Sequence, residues 1–222
     1  MLPILFPPKL DIEKLVEIQQ KVAKRVVAKN GFKKIKRVAG CDISFAKNDQ
    51  AFGACVVMDC KTLKVLDKNV VKVKLKFPYI PTFLAFRELE GMLKAVDGLK
   101  ADAYMVGAHG LAHPRRAGLA CHLGVVLDRP TFGVAKSILT GTAREPANAR
   151  GNYTYLLDGK EVIGAAVRTN AGSKPVYVSV GHKITLKSAI AITLQTTKRH
   201  RLPEPLLRAH RLATEEMKRV VK

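Results

Sequence analysis

The chain has 222 residues, of which 47% are hydrophobic, so it can bury the core of one α/β domain and is not a disordered polymer. No apolar run approaches the roughly 20 residues of a transmembrane helix, and Met1 to Pro8 is too short and too proline-rich for a secretory signal. The net charge of +21 favours a polyanionic partner, with nucleic acid as the first candidate and an anionic membrane or simple solubility as alternatives.

Hydrophobic spacing in the first third of the chain predicts one helix and then a run of antiparallel strands. Apolar residues recur at helical spacing over 11–29, and Asp11 can cap the start of this helix. Apolar runs interrupted by the turn at 47–50 predict strands over 35–45 and 52–58, and 63–66 and 70–75 could complete an antiparallel run. In the last strand, lysines at 72, 74 and 76 alternate with apolar residues, which indicates a half-exposed strand with a basic outer face.

The remainder of the chain alternates helices with strands. Helices are predicted over 82–96, where Pro81 starts and Gly98 ends the helix, near 116–123, over 188–196 and over 205–221. Strands are predicted over 103–106, 131–134, 153–156, 161–168 and 176–180, with a further helix beginning at Ala135. Strands followed by alternating helices and strands indicate an α/β fold with a mixed β-sheet flanked by helices. We expect one domain over residues 1–222.

The four cysteines do not form a zinc-binding pattern. No two of them form a CxxC pair, and Cys55 and Cys60 have no matching pair of histidines nearby. Buried, reduced thiols are the simpler interpretation, and they suit a cytoplasmic protein.

Two acidic residues fall on surfaces that are otherwise apolar. Asp42 interrupts the predicted strand VAGCDISF, where a buried carboxylate is costly unless it is paired or binds a cation; the alternative is an outward-facing aspartate. Glu88 follows Leu84 by one helical turn and precedes Met92 by one turn, so it points along an apolar face. The alternative for Glu88 is a buried salt bridge.

Two basic residues are also candidates for chemistry. His210 shares a helix face with Leu206 and Ala213, so a packed core histidine is expected unless its imidazole binds a metal or holds a water. Lys136 stands at the predicted helix start. It is either simply exposed or a cation beside a phosphate.

Two loops are unusual. The segment FPYIP at 77–81 encloses Tyr79 between prolines, so this tyrosine is either a rigid wedge between bases or part of a packed turn. The segment GAHGLAHPRR at 107–116 follows a buried strand and contains two histidines and two arginines. Ligands bind at such strand ends; the alternative is a tight turn with surface arginines.

The order of these segments resembles the endonuclease V family. VAGCDISF at 38–45 resembles its first motif, and PYIP at 78–81 followed by FRE at 86–88 resembles its second. HGLAHPRR at 109–116, GLA at 118–120 and HLG at 122–124 resemble the third, and GVAKS at 133–137 resembles the fourth. GHK at 181–183 and RLPEP at 201–205 also look like family segments, so the resemblance covers most of the chain.

The resemblance implies a ribonuclease H-like fold and a metal-dependent DNA repair endonuclease. Such an enzyme recognises deoxyinosine, whose base is hypoxanthine, and cuts the second phosphodiester bond on its 3′ side. DNA containing deoxyinosine is the expected partner of a monomeric enzyme, and some members act on inosine in RNA. No membrane partner is expected.

The resemblance also implies roles for particular residues. Asp42 and Glu88 would bind Mg²⁺, or Mn²⁺ in its place, and would form the catalytic set with Lys136 and His210. The strand-separating wedge would consist of Pro78, Tyr79, Ile80 and Pro81. The pocket for the extruded base would be lined by Leu84, Ala108, His113, Gly118, Leu119 and Leu139.

One position departs from the family pattern. The family has Asp-Gly before His-Gly in the third motif, whereas this chain has Gly107 and Ala108. The third metal-binding carboxylate is therefore missing, and the Ala108 methyl group narrows the pocket. His109 and Asp102 are the residues that could compensate, although neither has the family's position. The alternatives are an inosine-binding protein without catalysis, and a general single-strand binder that acts through charge alone.

Overall fold

The computed structural model describes residues 11–221, so the expectation for Met1 to Pro8 lies outside the described residues. The helices are α1 (Ile12–Arg25), α2 (Leu84–Val96), α3 (Leu119–Leu127), α4 (Leu186–Gln195) and α5 (Glu204–Val221). The strands are β1 (Arg37–Phe45), β2 (Gln50–Asp59), β3 (Val65–Lys74), β4 (Ala103–Val106), β5 (Thr131–Ala135), β6 (Tyr153–Asp158), β7 (Glu161–Val167) and β8 (Val176–His182). Among these residues, no helix is long and apolar enough to cross a membrane.

The strands form one mixed sheet in the order β3-β2-β1-β4-β5-β8-β7-β6. The centre is parallel, because β4 pairs with both β1 and β5 in the same direction. Both flanks are antiparallel. The prediction of a mixed sheet flanked by helices is confirmed.

Helices cover both faces of the sheet because successive strand residues point to opposite sides. On one face, Cys41 and Val106 pack with apolar residues of α2 and α3. On the other face, Val38 and Met105 pack with Ile190 of α4 and with the start of α5. The four cysteines are free and buried, as the sequence predicted.

Several helix starts differ from the prediction because single residues adopt left-handed backbone conformations. Helix α2 begins at Leu84 rather than residue 82, since Thr82 has φ +67°. Helix α3 begins at Leu119 rather than near 116, since Arg116 has φ +55°. Such conformations do not fit a right-handed helix. Helix α1 starts at its predicted cap, Asp11, which accepts a hydrogen bond from the Lys14 amide at 3.1 Å.

The predicted helix at Ala135 is wrong. Ala135 is the last residue of β5, and the chain then runs without a helix to β6. This connection contains Pro146 and a left-handed Gly141 with φ +81°, both unfavourable within a helix. The two strands predicted over 63–66 and 70–75 are instead the single, continuous strand β3. This strand does not include Leu63, which lies in the preceding turn with φ +58°.

Candidate active site

The parallel strands bring the candidate residues to one edge of the sheet. Cys41 pairs with Val106, and Val106 pairs with Gly133, so the carboxyl ends of β1, β4 and β5 lie side by side. Asp42 is near the end of β1, while Gly107 and Lys136 directly follow β4 and β5. This edge is where α/β sheets bind ligands.

Asp42 is held against α5 by an unusually close approach of the helix to β1. A Cβ atom on Gly40 would lie 2.2 Å from the carbonyl carbon of Pro205, so only glycine allows the contact. The approach places His210 over the end of β1, where its Nδ1 donates a hydrogen bond to Asp42 Oδ2 at 2.7 Å. Asp42 is therefore not the outward-facing residue of the alternative interpretation.

His210 differs from the core residue that its helix face predicted. Its side chain is 50% exposed, whereas Leu206 and Ala213 are buried beneath it. Asp42 is 21% exposed at the side chain. Burial raises the pKa of Asp42, while the His210 hydrogen bond and the positive charge of exposed Lys136 oppose that rise. The three residues therefore form one electrostatic unit.

Glu88 lies behind Asp42 and has no ion-pair partner among residues 11–221, contrary to the salt-bridge alternative. The residue is only 6% exposed. Burial, reinforced by the nearby charge of Asp42, raises the pKa of Glu88 to about 8. Its carboxyl group is therefore largely protonated at neutral pH unless a cation stabilises the charged form.

Gly107 faces the carboxylate of Asp42 directly. A Cβ atom built on Gly107 would lie 2.6 Å from Asp42 Oδ1, so the Asp42 carboxylate lies directly against the point where a side chain at residue 107 would begin. Within residues 11–221, no three or more His, Cys, Asp or Glu side chains are arranged to hold a metal ion. The acidic cluster thus consists of Asp42 and Glu88.

Neither residue that could compensate occupies the position of the missing carboxylate. Asp102 accepts hydrogen bonds from the amides of Lys36 and Arg37 at 2.7 and 2.8 Å, at the opposite edge of the sheet. His109 is near the site, but burial lowers its pKa to about 4, so the ring is neutral. Its Nδ1 is buried without a hydrogen-bond partner among the described residues.

A cavity of about 340 Å³ connects this acidic edge to the loop around Tyr79. Ten predicted site residues line it: Asp42, Tyr79, Leu84, Ala108, His113, Gly118, Leu119, Lys136, Leu139 and His210. Four predicted residues are not on its wall: Glu88, Pro78, Ile80 and Pro81. The prediction omitted wall residues that include Thr82, Ala85, Ser137, Ile138 and Leu202. Thr82, Ala85 and Ile138 adjoin recognised motifs, and Ser137 and Leu202 lie within them, so proximity in sequence was the available signal.

Thr82 is the anchor between the Tyr79 loop and the cavity. Its carbonyl oxygen accepts hydrogen bonds from Gln19 Nε2 at 2.7 Å and from His113 Nε2 at 2.8 Å. Arg115 bonds to the Thr82 hydroxyl at 2.6 Å, contacts the Gln19 side chain and stacks over the Phe83 ring at 4.6 Å. A left-handed threonine is strained, and these contacts hold it in place.

The hydrogen bonds around Thr82 also fix the protonation state of His113. The Arg115 amide donates to His113 Nδ1 at 3.1 Å, so the proton is on Nε2 and points at Thr82. Burial lowers the pKa of His113 to about 4, which keeps the ring neutral. The sequence analysis gave Gln19 no role, although a glutamine on the apolar face of the predicted helix was a usable signal; the structure buries it fully.

The loop that contains Tyr79 has a fixed base and an exposed tip. Arg87 Nη1 donates to the Phe77 carbonyl at 2.6 Å, and the Phe83 amide donates to the Ile80 carbonyl at 3.0 Å. Tyr79 is nevertheless 66% exposed, so it is not the packed turn residue of the alternative interpretation. The two arginines that end the 107–116 loop are not simple surface residues. Arg115 binds Thr82, and Arg116 pairs with Asp158 and Glu161 at 2.8 and 2.6 Å.

Comparison with known proteins gives a consistent result. The family model for endonuclease V matches residues 20–211. Endonuclease V of Dictyoglomus thermophilum is 42% identical over 203 residues, which cover 90% of this chain and 89% of the relative. The crystal structure of endonuclease V from Streptomyces avermitilis superposes with a TM-score of 0.91 at 36% identity, covering 96% of each chain. Endonuclease V of Ciona intestinalis, solved in complex with a 24mer DNA containing an inosine, has a TM-score of 0.84 at 29% identity, covering 94% and 98% of the two chains.

The mixed sheet, the acidic residues at its parallel edge and these structural neighbours define a ribonuclease H-like nuclease, which hydrolyses phosphodiester bonds. The chain belongs to the endonuclease V family. The roles of individual site residues remain predictions.

Proposed function

We propose that this chain is a metal-dependent DNA repair endonuclease that recognises deoxyinosine and cuts the second phosphodiester bond on its 3′ side, with cleavage weakened at Gly107. One observation carries the proposal. A single cavity joins the exposed Tyr79 to a largely apolar recess and then to Asp42 and Lys136. The inosine-containing DNA bound by the Ciona intestinalis relative supports this choice of substrate.

Recognition is assigned to the part of the cavity between the loop and α3. An extruded hypoxanthine would pack between Leu84 and Leu119, close to the backbone at Ala108. Both ring nitrogens of His113 are engaged within the protein, so its ring forms a fixed, neutral wall. Tyr79 would fill the gap that the extruded base leaves in the stack.

Asp42 and Glu88 fit a divalent cation, because Mg²⁺ is commonly bound by one or two carboxylates together with substrate phosphates. Bound there, Mg²⁺ or Mn²⁺ would supply an activated water and neutralise charge on the phosphate. Glu88 must lose its proton to act as a ligand. Lys136 would stabilise negative charge on the phosphate, and His210 would orient a water through the ring nitrogen that does not bind Asp42.

A second candidate function is inosine-selective binding without catalysis. Gly107 favours it, because the position that faces Asp42 contributes no ligand. The residues assigned to recognition are all present in this chain, so binding can persist where cleavage does not.

The direct test incubates the protein with an end-labelled single strand that carries one deoxyinosine, with Mg²⁺ and then with Mn²⁺. A matched strand without inosine and the Asp42→Asn variant are the controls. We expect one slow cut on the 3′ side of the lesion that is absent from both controls. Selective binding with no product would establish the second candidate function. An inosine strand of RNA in the same assay determines whether ribose is accepted.

A further inference from the structure

A second groove, next to the active-site cavity, is lined by positive charge. It has a volume of about 330 Å³, and its wall includes Ala166 of β7 and Tyr177 of β8. Its cations are Lys136, Arg144, Lys174 and Arg201. Lys136 also lines the active-site cavity, so the two spaces adjoin at this residue.

No carboxylate within residues 11–221 forms an ion pair with any of these four cations. The acidic residue on the groove wall, Glu145, is bound instead to Arg168 at 2.8 Å. The groove therefore keeps its positive potential, which attracts a polyanion.

The backbone that carries these cations is fixed by side-chain hydrogen bonds. Arg201 Nη2 donates to the carbonyls of Lys136 and Pro175, at 2.5 and 2.6 Å. Arg168 contacts the Ser173 carbonyl, so the chain is held on both sides of Lys174. The Thr154 hydroxyl holds the carbonyl of Arg144. With the backbone fixed, only the exposed side chains of Arg144 and Lys174 would have to be ordered when a ligand binds.

The floor of the groove offers an aromatic surface. Tyr177 is half-buried, and its neighbours across the sheet are Ala135 and Ala166, whose small side chains leave the ring accessible from the groove. A groove with positively charged side chains and an aromatic ring is suited to single-stranded nucleic acid, because the cations bind its phosphates and a base stacks on the ring.

We infer that this groove binds the single-stranded segment flanking the cut, with Arg144 and Lys174 on its phosphates and Tyr177 under a base. The inference rests on the proposed function, because it extends the same substrate strand beyond Lys136. It assigns two phosphate contacts that lie outside the catalytic set.

The test compares two double variants that remove equal charge. Arg144→Ala with Lys174→Ala removes groove cations, whereas Lys72→Ala with Lys74→Ala removes exposed cations of β3. Affinity for a deoxyinosine single strand is measured by fluorescence anisotropy in EDTA over a series of salt concentrations. For the groove variant we expect the slope of log affinity against log salt to shrink by about 1.4, since each single-strand phosphate contact contributes roughly 0.7. The β3 variant should keep the wild-type slope.

Shortened strands identify which flank occupies the groove. Both strands carry the deoxyinosine. One is shortened on the 3′ flank, so that it ends shortly after the lesion, and the other is shortened on the 5′ flank, so that it begins shortly before the lesion. The difference between wild type and groove variant should disappear for one of the two. Equal slopes in the two double variants, or a difference that persists with both shortened strands, would overturn the inference. If wild type binds inosine and inosine-free strands equally, the proposed function fails, while the slope comparison still judges the groove.

Discussion

The two halves of the active-site cavity differ in how completely they are built. Around Tyr79 and Thr82, every polar group described above has a partner and the ring of His113 has a fixed tautomer. At the acidic edge, Glu88 is buried without an ion pair among the described residues, and Gly107 contributes no side chain beside the Asp42 carboxylate, which His210 binds there. Under the proposed function, recognition and cleavage would rest on separate sets of residues, and the contrast indicates that one set can weaken while the other stays intact.

The largest expected effect comes from Gly107→Asp. A carboxylate at this position would adjoin Asp42 and complete the acidic cluster, so we expect cleavage of a deoxyinosine strand to rise by roughly a thousandfold, or about 4 kcal/mol. Asp42 must shift, because the new Cβ lies 2.6 Å from its Oδ1. Single-turnover rates with Mg²⁺ measure the gain.

The matched control for that variant is Gly107→Asn, which has nearly the same shape without the charge. It should gain no activity. If Asn and Asp accelerate cleavage equally, or neither does, position 107 is not the weak point of the catalytic half.

The acidic half also predicts an unusual pH dependence of stability. The pKa of Glu88 is raised from 4.5 to about 8, so between these values the group is protonated in the folded chain and charged in the unfolded chain. Its contribution to stability is present at low pH and is lost as pH rises through about 8. Glu88→Gln stays neutral throughout. In EDTA, the variant should therefore gain on the order of 3 kcal/mol over wild type between pH 5 and pH 9.

Urea unfolding at the two pH values checks this prediction, and Glu90→Gln is the control. Glu90 is on the same helix but pairs with Lys76 and Lys94, which lower its pKa. The control should show no gain at high pH. If the free energies of unfolding of Glu88→Gln and wild type differ by the same amount at both pH values, Glu88 is charged in the folded protein without a bound cation, and the prediction is wrong.

The close approach of α5 to β1 offers a way to disturb the catalytic half alone. Gly40→Ala would force the Pro205 backbone away, since the added Cβ meets it at 2.2 Å. We expect a loss of about 2 kcal/mol in the free energy of unfolding and slower cleavage, because His210 moves with the helix. Affinity for inosine in EDTA should stay the same. A parallel loss of that affinity would show that the halves are coupled through α5.

The recognition half is tested by Tyr79→Ala. Removing the exposed ring should weaken binding to a deoxyinosine duplex by about tenfold, because one stacked base contributes roughly 1 to 3 kcal/mol. A single strand needs no separation, so its affinity should fall less. Tyr79→Phe should behave as wild type on both. Equal losses on duplex and single strand would assign Tyr79 to general binding rather than to strand separation.

Local hydrophobic patterns predicted the mixed sheet and most of its strands, and the family motifs predicted ten of the residues on the cavity wall. The sequence could not predict that Thr82 and Arg116 adopt left-handed conformations, which moved two helix starts. Helix spacing alone favoured a core position for His210, whereas the family resemblance placed it in the catalytic set. The helix face was read correctly for Leu206 and Ala213, but contact with Asp42 depends on how closely α5 approaches Gly40. The hydrogen-bond network around Thr82 joins residues that are far apart in the chain, so hydrophobic periodicity does not reveal it.

The central claim is that the recognition half works without the missing carboxylate. Binding of the unaltered protein to a single strand with one deoxyinosine, and to the same strand with deoxyadenosine there, tests this directly when measured by anisotropy in EDTA. The account predicts at least about tenfold tighter binding of the inosine strand, because specific contacts to one base edge discriminate by roughly 1 to 3 kcal/mol. Equal affinities would contradict it, because a strand held through charge alone does not distinguish the two bases.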